Sequence, residues 1–166
     1  KESEKGKKEQ VAEMFDKIAG RYDVMNRLLS ARIDLRWRKK AIRMLKKENP
    51  KHILDVATGT ADMAIMTCRL LNPDRVDGID ISEGMLDLGR KKIEKEGLAG
   101  KIHLHTGDSE TIKFADNTFD AVMVAFGVRN FENLEKGLAE MRRVLKPGGR
   151  LVILEFSKPR RKAVKS

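Results

Sequence analysis

The rhythm of apolar and polar positions changes at Pro50. Before it the spacing is helical. Val11, Met14, Phe15 and Ile18 recur on one face and run to Gly20, a C-cap candidate. Tyr22, Met25, Leu28 and Leu29 repeat the pattern across Arg21 to Ser30, and Trp37, Ala41, Met44 and Leu45 mark a third helix with Asp34 as its cap. After Pro50, short apolar runs alternate with helical stretches. Strands are predicted over 52–56, 76–80, 102–106, 119–126 and 151–156. Helices are predicted from Asp62, from Ser82 to about Glu96, and across Leu134, Leu138, Met141 and Leu145, the last stopped by Pro147-Gly148-Gly149. Repeated βαβ units of this kind imply an α/β fold with a central, mostly parallel sheet and helices on both faces.

Composition narrows the class. A chain of 166 residues with 40% hydrophobic and 36% charged content fits one domain with a real core. No apolar run reaches the length of a membrane span, and no signal peptide is evident. Cys68 is the single cysteine, so no internal disulfide forms, and a reducing cytoplasm is the expected setting. The net charge of +10 concentrates in the first eight residues, in Arg36 to Lys47, and in Lys158 to Lys165. Residues 1–10 are read as a disordered N-terminal remnant and 160–166 as a basic tail. The helices over 11–50 form a lid, and 51–159 form the core domain. The basic third helix can lie on a membrane surface, although packing against the core with a lysine-rich solvent face is the reading preferred. His103 and His105 share a strand face but lack a third ligand at metal spacing, and His52 stands alone, so no metal site is assigned.

The chemistry begins where the first strand breaks into the small residues Ala57-Thr58-Gly59-Thr60 and a helix opens at Asp62. Such a strand–turn–helix unit binds nucleotides at the carboxyl ends of strands. Asp55 sits inside the apolar run and needs a donor or cation. Asp80 closes the second run at about the 20-residue spacing that brings an acid to ribose hydroxyls. An ordinary strand-end residue capping the next helix explains Asp80 equally well. The turn lacks G-x-G-x-x-G: Ala57, Gly59 and Asp62 stand there, and an aspartate would repel a diphosphate. A ribosyl ligand with a sulfonium and an ammonium tolerates that charge, which favours S-adenosylmethionine and methyl transfer over hydride transfer.

Two further segments are more specific. Tyr22-Asp23-Val24-Met25-Asn26, followed by Leu29-Ser30 and Trp37, resembles the N-terminal signature of the UbiE/COQ5 family of quinone-biosynthesis C-methyltransferases. Arg143 to Leu151, running on to Glu155-Phe156-Ser157, resembles its second signature, and Phe126-Gly127-Val128-Arg129-Asn130 resembles its loop after strand four. The resemblance covers Val11 to Pro159. It implies a Rossmann-like class I methyltransferase fold, S-adenosylmethionine as cofactor, and a lipophilic quinol such as demethylmenaquinol as substrate. It also implies that Thr60 contacts the methionine portion, Asp80 the ribose, and Asp108 and Ser109 the adenine, with Ala125 at the end of strand four and Asp55 and Gly59 completing the first motif. Three departures stand out. Asp34 replaces a frequent histidine. Ala61 replaces a frequent glycine, which should narrow the turn only slightly. The family's C-terminal part is longer, so this chain ends after the fifth of seven strands and leaves Leu151 to Phe156 as an open edge.

Methyl transfer needs the acceptor carbon held close to the donor methyl, with water excluded. Arg129 is a candidate to stabilise a developing phenolate and Asn130 to orient a hydroxyl, with Tyr22 and Asp23 as second candidates. A structural ion pair or a bond to loop carbonyls accounts for Arg129 as well. Rival readings are methylation of RNA, prompted by a pI near 9.8, a non-catalytic cofactor-binding module, and an NAD enzyme. One tryptophan and one tyrosine offer little for base stacking, so no nucleic-acid partner is expected. Peripheral contact with a membrane is compatible with the substrate class.

Overall fold

In the computed structural model, which describes residues 6–14, 16 and 35–155, the five apolar runs after Pro50 are strands of one sheet. They are β1 (His52–Val56), β2 (Arg75–Asp80), β3 (Ile102–Thr106), β4 (Phe119–Ala125) and β5 (Leu145–Leu154). Their order is β3-β2-β1-β4-β5, and every pairing is parallel. Sequence order reverses between β1 and β4, which opens a crevice at the carboxyl ends of the strands. Beyond β3 and β5 no further strand pairs among the described residues.

Three helices connect the strands: α1 (Asp62–Leu71), α2 (Glu83–Lys95) and α3 (Leu134–Val144). Ser82 caps α2 by accepting the Met85 N–H at 3.2 Å, and Asn133 caps α3 through the Lys136 N–H at 3.1 Å. Residues 7–14 and 35–43 are also helical.

The sheet separates two apolar layers, as alternation along the strands requires. One joins Ile53, Val76, Ala121 and Met123 to Ala64 and Cys68 of α1, Ile93 of α2, and Ala41, Ile42 and Leu45. The other joins Leu54, Val56, Ile79 and Val122 to Met141 and Val144 of α3 and to Phe131.

Four expectations shift. Residues 7–10, read as disordered remnant, belong to a helix, because Lys8 and Val11 have partners on the core. In the basic segment the buried face is Ala41, Ile42 and Leu45, whereas Trp37 and Met44 stay about half exposed. Strand β5 begins at Leu145, before the Pro-Gly-Gly turn. Leu145 pairs with Phe119 and Arg150 with Ala121, so residues 146–149 bulge from a strand already in register. Lastly, His52 is not alone. Its Nε2 lies 2.7 Å from Asp77, which His105 and Arg75 also contact. Gly20, Tyr22, Asp23, Asp34 and the tail 160–166 lie outside the described residues.

Candidate functional site

The turn after β1 is fixed by backbone bonds. Thr58 donates its N–H to the Ile79 carbonyl at 2.9 Å, and Ala61 donates to Thr58 at 3.0 Å. Gly59 adopts φ +59° and aims its N–H at Asp80 Oδ2, 2.8 Å away. Ala61 has φ 69° and is fully buried, so the turn holds this position in the left-handed region that favours glycine, and the alanine there is strained. On the far side, Gly127 packs so closely on Ala57 that an added Cβ would lie 2.5 Å from the alanine methyl. The β4 loop is thereby drawn against the turn.

Asp80 does not cap α2, whose cap is Ser82, although it bonds to the backbone at the start of that helix. Its Oδ1 accepts the Ser82 N–H at 3.0 Å and its Oδ2 the Gly59 N–H, so it ties the starts of two loops together. Each carboxylate oxygen keeps a second lone pair, and Asp80 lines the main cavity. Burial raises its carboxyl above the ordinary range, against the backbone bonds that favour the charge.

That cavity, about 660 Å³ including its open mouth, lies at the carboxyl ends of the strands. Gly59, Asp80, Asp108, Ser109, Ala125 and Asn130 all line it. Asp108 follows β3, where its Oδ1 accepts the Glu110 N–H at 2.9 Å. Its other oxygen pairs with Lys8 at 2.8 Å, and Lys8 also reaches Glu110 at 3.0 Å. Burial opposes ionisation of Asp108, but the bonds from Lys8 and the Glu110 N–H, with the charges of Lys8 and Lys136, together outweigh it and lower the carboxyl. A second, smaller cleft of about 340 Å³ shares Ala57, Gly59 and Ala125 with the first and adds Arg38, Asp55, Thr60 and Asp62. Asp55 is 1% exposed and accepts the Thr58 hydroxyl at 2.7 Å. Burial pushes its carboxyl up to about 7, despite Thr58 and the field of Arg38.

All seven residues singled out for cofactor contact therefore line one cleft or the other. Of the four suggested for chemistry, Asn130 lines the main cavity. Arg129 lies in the adjoining 3-10 turn Val128–Asn130, but its side chain is outside the described residues, as are Tyr22 and Asp23. Asp62 is less repulsive than its charge suggests, because Lys92 pairs with it at 2.9 Å and also donates to the Thr60 hydroxyl. Sequence reasoning missed Lys8, Arg38, Lys92 and Glu110. For Lys8, Arg38 and Lys92 only helical phase was available as a signal, and phase does not say which loop a side chain will face. Glu110, in a turn after β3, offered no periodic signal.

A family model for ubiE/COQ5 methyltransferases matches residues 3–166. The chain belongs to that family. It is 57% identical over 160 residues to a demethylmenaquinone methyltransferase of Bacteroides fragilis, covering 96% of this chain and 65% of the relative. It is 48% identical over 164 residues to a ubiquinone/menaquinone biosynthesis C-methyltransferase of Geobacter sulfurreducens, covering 98% and 63%. The chain thus spans just under two thirds of the length of these relatives. Among solved structures, a SAM-dependent methyltransferase from Aquifex aeolicus superposes with a TM-score of 0.64 at 27% identity, over 74% of this chain and 66% of that one. The fold of this family member is the Rossmann-like class I methyltransferase fold. Among the described residues, no helix is long and apolar enough to cross a membrane.

Proposed function

We propose that the chain carries the cofactor-binding core of an S-adenosylmethionine-dependent C-methyltransferase that acts on a polyprenylated quinol, demethylmenaquinol in the first instance. The observation that carries this reading is Asp80. Its carboxylate is oriented by the Gly59 and Ser82 amides at the crevice, with oxygen lone pairs left for a ribose diol. Membership of the family and the names of the relatives favour the quinol as acceptor.

The lining suits such a donor. Asp80 holds the ribose, Asp108 and Ser109 take the adenine edge, and Ala125 packs beside it. Thr60 and Asp55 stand toward the methionine portion. When bound, the sulfonium supplies an electrophilic methyl group. The chain itself orients the acceptor and excludes water: Val11, Phe126 and Phe131 form an apolar wall, and Asn130 turns a quinol hydroxyl toward the donor. Arg129 stabilises the phenolate oxygen as the ring carbon becomes nucleophilic, with Tyr22 and Asp23 as the second candidates for this chemistry.

The helical segment 35–43 and the residues after it favour peripheral contact with an anionic membrane that dissolves the quinol. Leu35, Trp37 and Met44 are each close to half exposed among Arg36, Lys39, Lys40 and Arg43.

Calorimetric titration tests the donor, and a methylation assay tests the acceptor. S-adenosylmethionine and S-adenosylhomocysteine are expected to bind, NAD and RNA not. A chain that binds NAD in preference, or RNA with a steep salt dependence and no donor, would overturn the reading. Transfer of label from the donor to a demethylmenaquinol analogue is expected from the full-length protein. Substitution Asn130→Ala should lower kcat with little change in KM for the donor.

A further inference from the structure

Helix α3 has a buried glycine in its interior that its backbone does not need. Gly137 lies just past the first turn, donates its N–H to the Asn133 carbonyl at 3.1 Å, and is not among the residues with positive φ. Glycine is the poorest helix former after proline, so the position asks for another reason. That reason is Phe131. A Cβ at Gly137 would lie 2.6 and 2.8 Å from Cδ2 and Cε2 of the ring, about 1 Å inside ordinary carbon–carbon contact. The ring also lines the main cavity. Its backbone is held on both sides: the Phe131 N–H donates to the Val128 carbonyl at 3.1 Å, and the Phe131 carbonyl accepts Lys7 Nζ at 3.4 Å. Met141 and Val144 fill the apolar layer that it shares. With the backbone pinned and that layer close-packed, the cavity is the open side toward which a displaced ring swings. Phe126 lines the same cavity and is fixed in another way. Its φ is 58°, its N–H donates to the Leu154 carbonyl at 2.7 Å, and the Arg38 guanidinium lies 5.3 Å from the centre of its ring. One aromatic wall is therefore fixed, and the position of the other follows what stands behind it at 137.

We propose that Gly137 is a positioning residue for acceptor specificity: by letting Phe131 sit back against α3, it leaves room in the main cavity for the second ring of a fused, bicyclic quinol. The proposal rests on the acceptor reading above and adds to it the pair of residues that admits that ring. A single-ring quinol needs no such room. An alanine methyl at 137 drives the Phe131 ring into the space of the second ring and overpacks the site. Selectivity between acceptors then changes through a contact that Gly137 itself never makes.

The test uses the full-length protein and two acceptors that carry the same short prenyl chain, one on a 1,4-naphthoquinol and one on a 1,4-benzoquinol. In Gly137→Ala, kcat/KM for the naphthoquinol should fall tenfold or more, mostly through KM, and that for the benzoquinol less than threefold. S-adenosylhomocysteine should bind within threefold of the unmodified protein. Adding Phe131→Leu to Gly137→Ala removes the displaced ring and should return the ratio of the two acceptors to within threefold of its original value. Phe131→Leu alone leaves α3 untouched and should raise the naphthoquinol-to-benzoquinol ratio threefold or more, so the proposal stays testable if Gly137→Ala folds poorly. Equal losses on both acceptors, a loss confined to donor binding, or a ratio that Phe131→Leu neither restores nor shifts would overturn it. Methylation of both quinols at a ratio that no variant moves leaves the acceptor reading standing while the proposal falls. Binding of S-adenosylhomocysteine without methylation of either quinol removes both.

Discussion

Asp77 and Asp80 lie on the same strand, and both are buried, at 0% and 7% exposure. Their surroundings differ completely. Asp77 receives Arg75 through both oxygens, at 2.9 and 3.0 Å, together with the Nε2 atoms of His52 at 2.7 Å and His105 at 2.8 Å. Among the described residues, Asp80 receives backbone N–H groups and no cation. Burial acts to raise both carboxyls. At Asp77 the bonds from Arg75, His52 and His105 outweigh it and hold the group at about 2, whereas at Asp80 burial prevails. A carboxylate whose lone pairs are consumed by side chains of its own fold serves stability. One oriented by amides toward a cavity, with its charge uncompensated, is suited to a ligand.

Asparagine at Asp77 should have the largest effect on folding. It removes the charge that Arg75 and two histidines converge on, at a cost of about 2–4 kcal/mol in urea denaturation. Donor affinity of the folded fraction should be unchanged. A loss of donor affinity at unchanged stability would reverse the roles assigned to the two aspartates. Asp80→Asn is expected to do the opposite, lowering donor affinity tenfold or more, about 1.4 kcal/mol, while changing stability by less than about 1 kcal/mol.

The pH dependence sharpens the contrast. Asp77 has a folded value below its unfolded value of about 3.9, so its stabilisation is complete above that pH and is lost as pH falls toward 2. Asp55 has the opposite sign. Its folded value of about 7 lies above the unfolded one, so stability is lost as pH rises from about 4 through 7. Without ligand, Asp55→Asn should therefore melt higher than the parent at pH 8, by about 1 kcal/mol or more, and lose that advantage at pH 4. A difference independent of pH would mean that Asp55 ionises freely.

The smallest effect belongs to Lys8, which is partly exposed beside Asp108. Lys8→Gln should cost about 0.5–1 kcal/mol at low salt and almost nothing in 1 M salt. A larger, salt-independent loss would place Lys8 with the buried cluster of Asp77 instead.

Much of this architecture was legible before any coordinates. Periodicity located all five strands, and the small residues 57–60 together with Asp80 located the crevice, because backbone geometry and burial act on neighbours in sequence. The misreadings have one common source. His52 and His105 meet at Asp77 only because parallel pairing sets β1, β2 and β3 side by side. Trp37 turned outward and Ile42 inward because the helix phase was set by the layer it packs on. Lys92 neutralised Asp62 across a gap of 30 positions.

The sequence alone determined the order of strands and helices, the family, and the acids at the strand ends, since each depends on local spacing and residue type. Only the tertiary structure decided which carboxylate acquired cations and which was left facing a cavity. It also decided that Arg38, from a helix outside the nucleotide-binding unit, would stand over the cleft of Asp55. The reason is physical: the state of a buried charge depends on groups within a few ångströms, and folding draws those groups from distant parts of the chain.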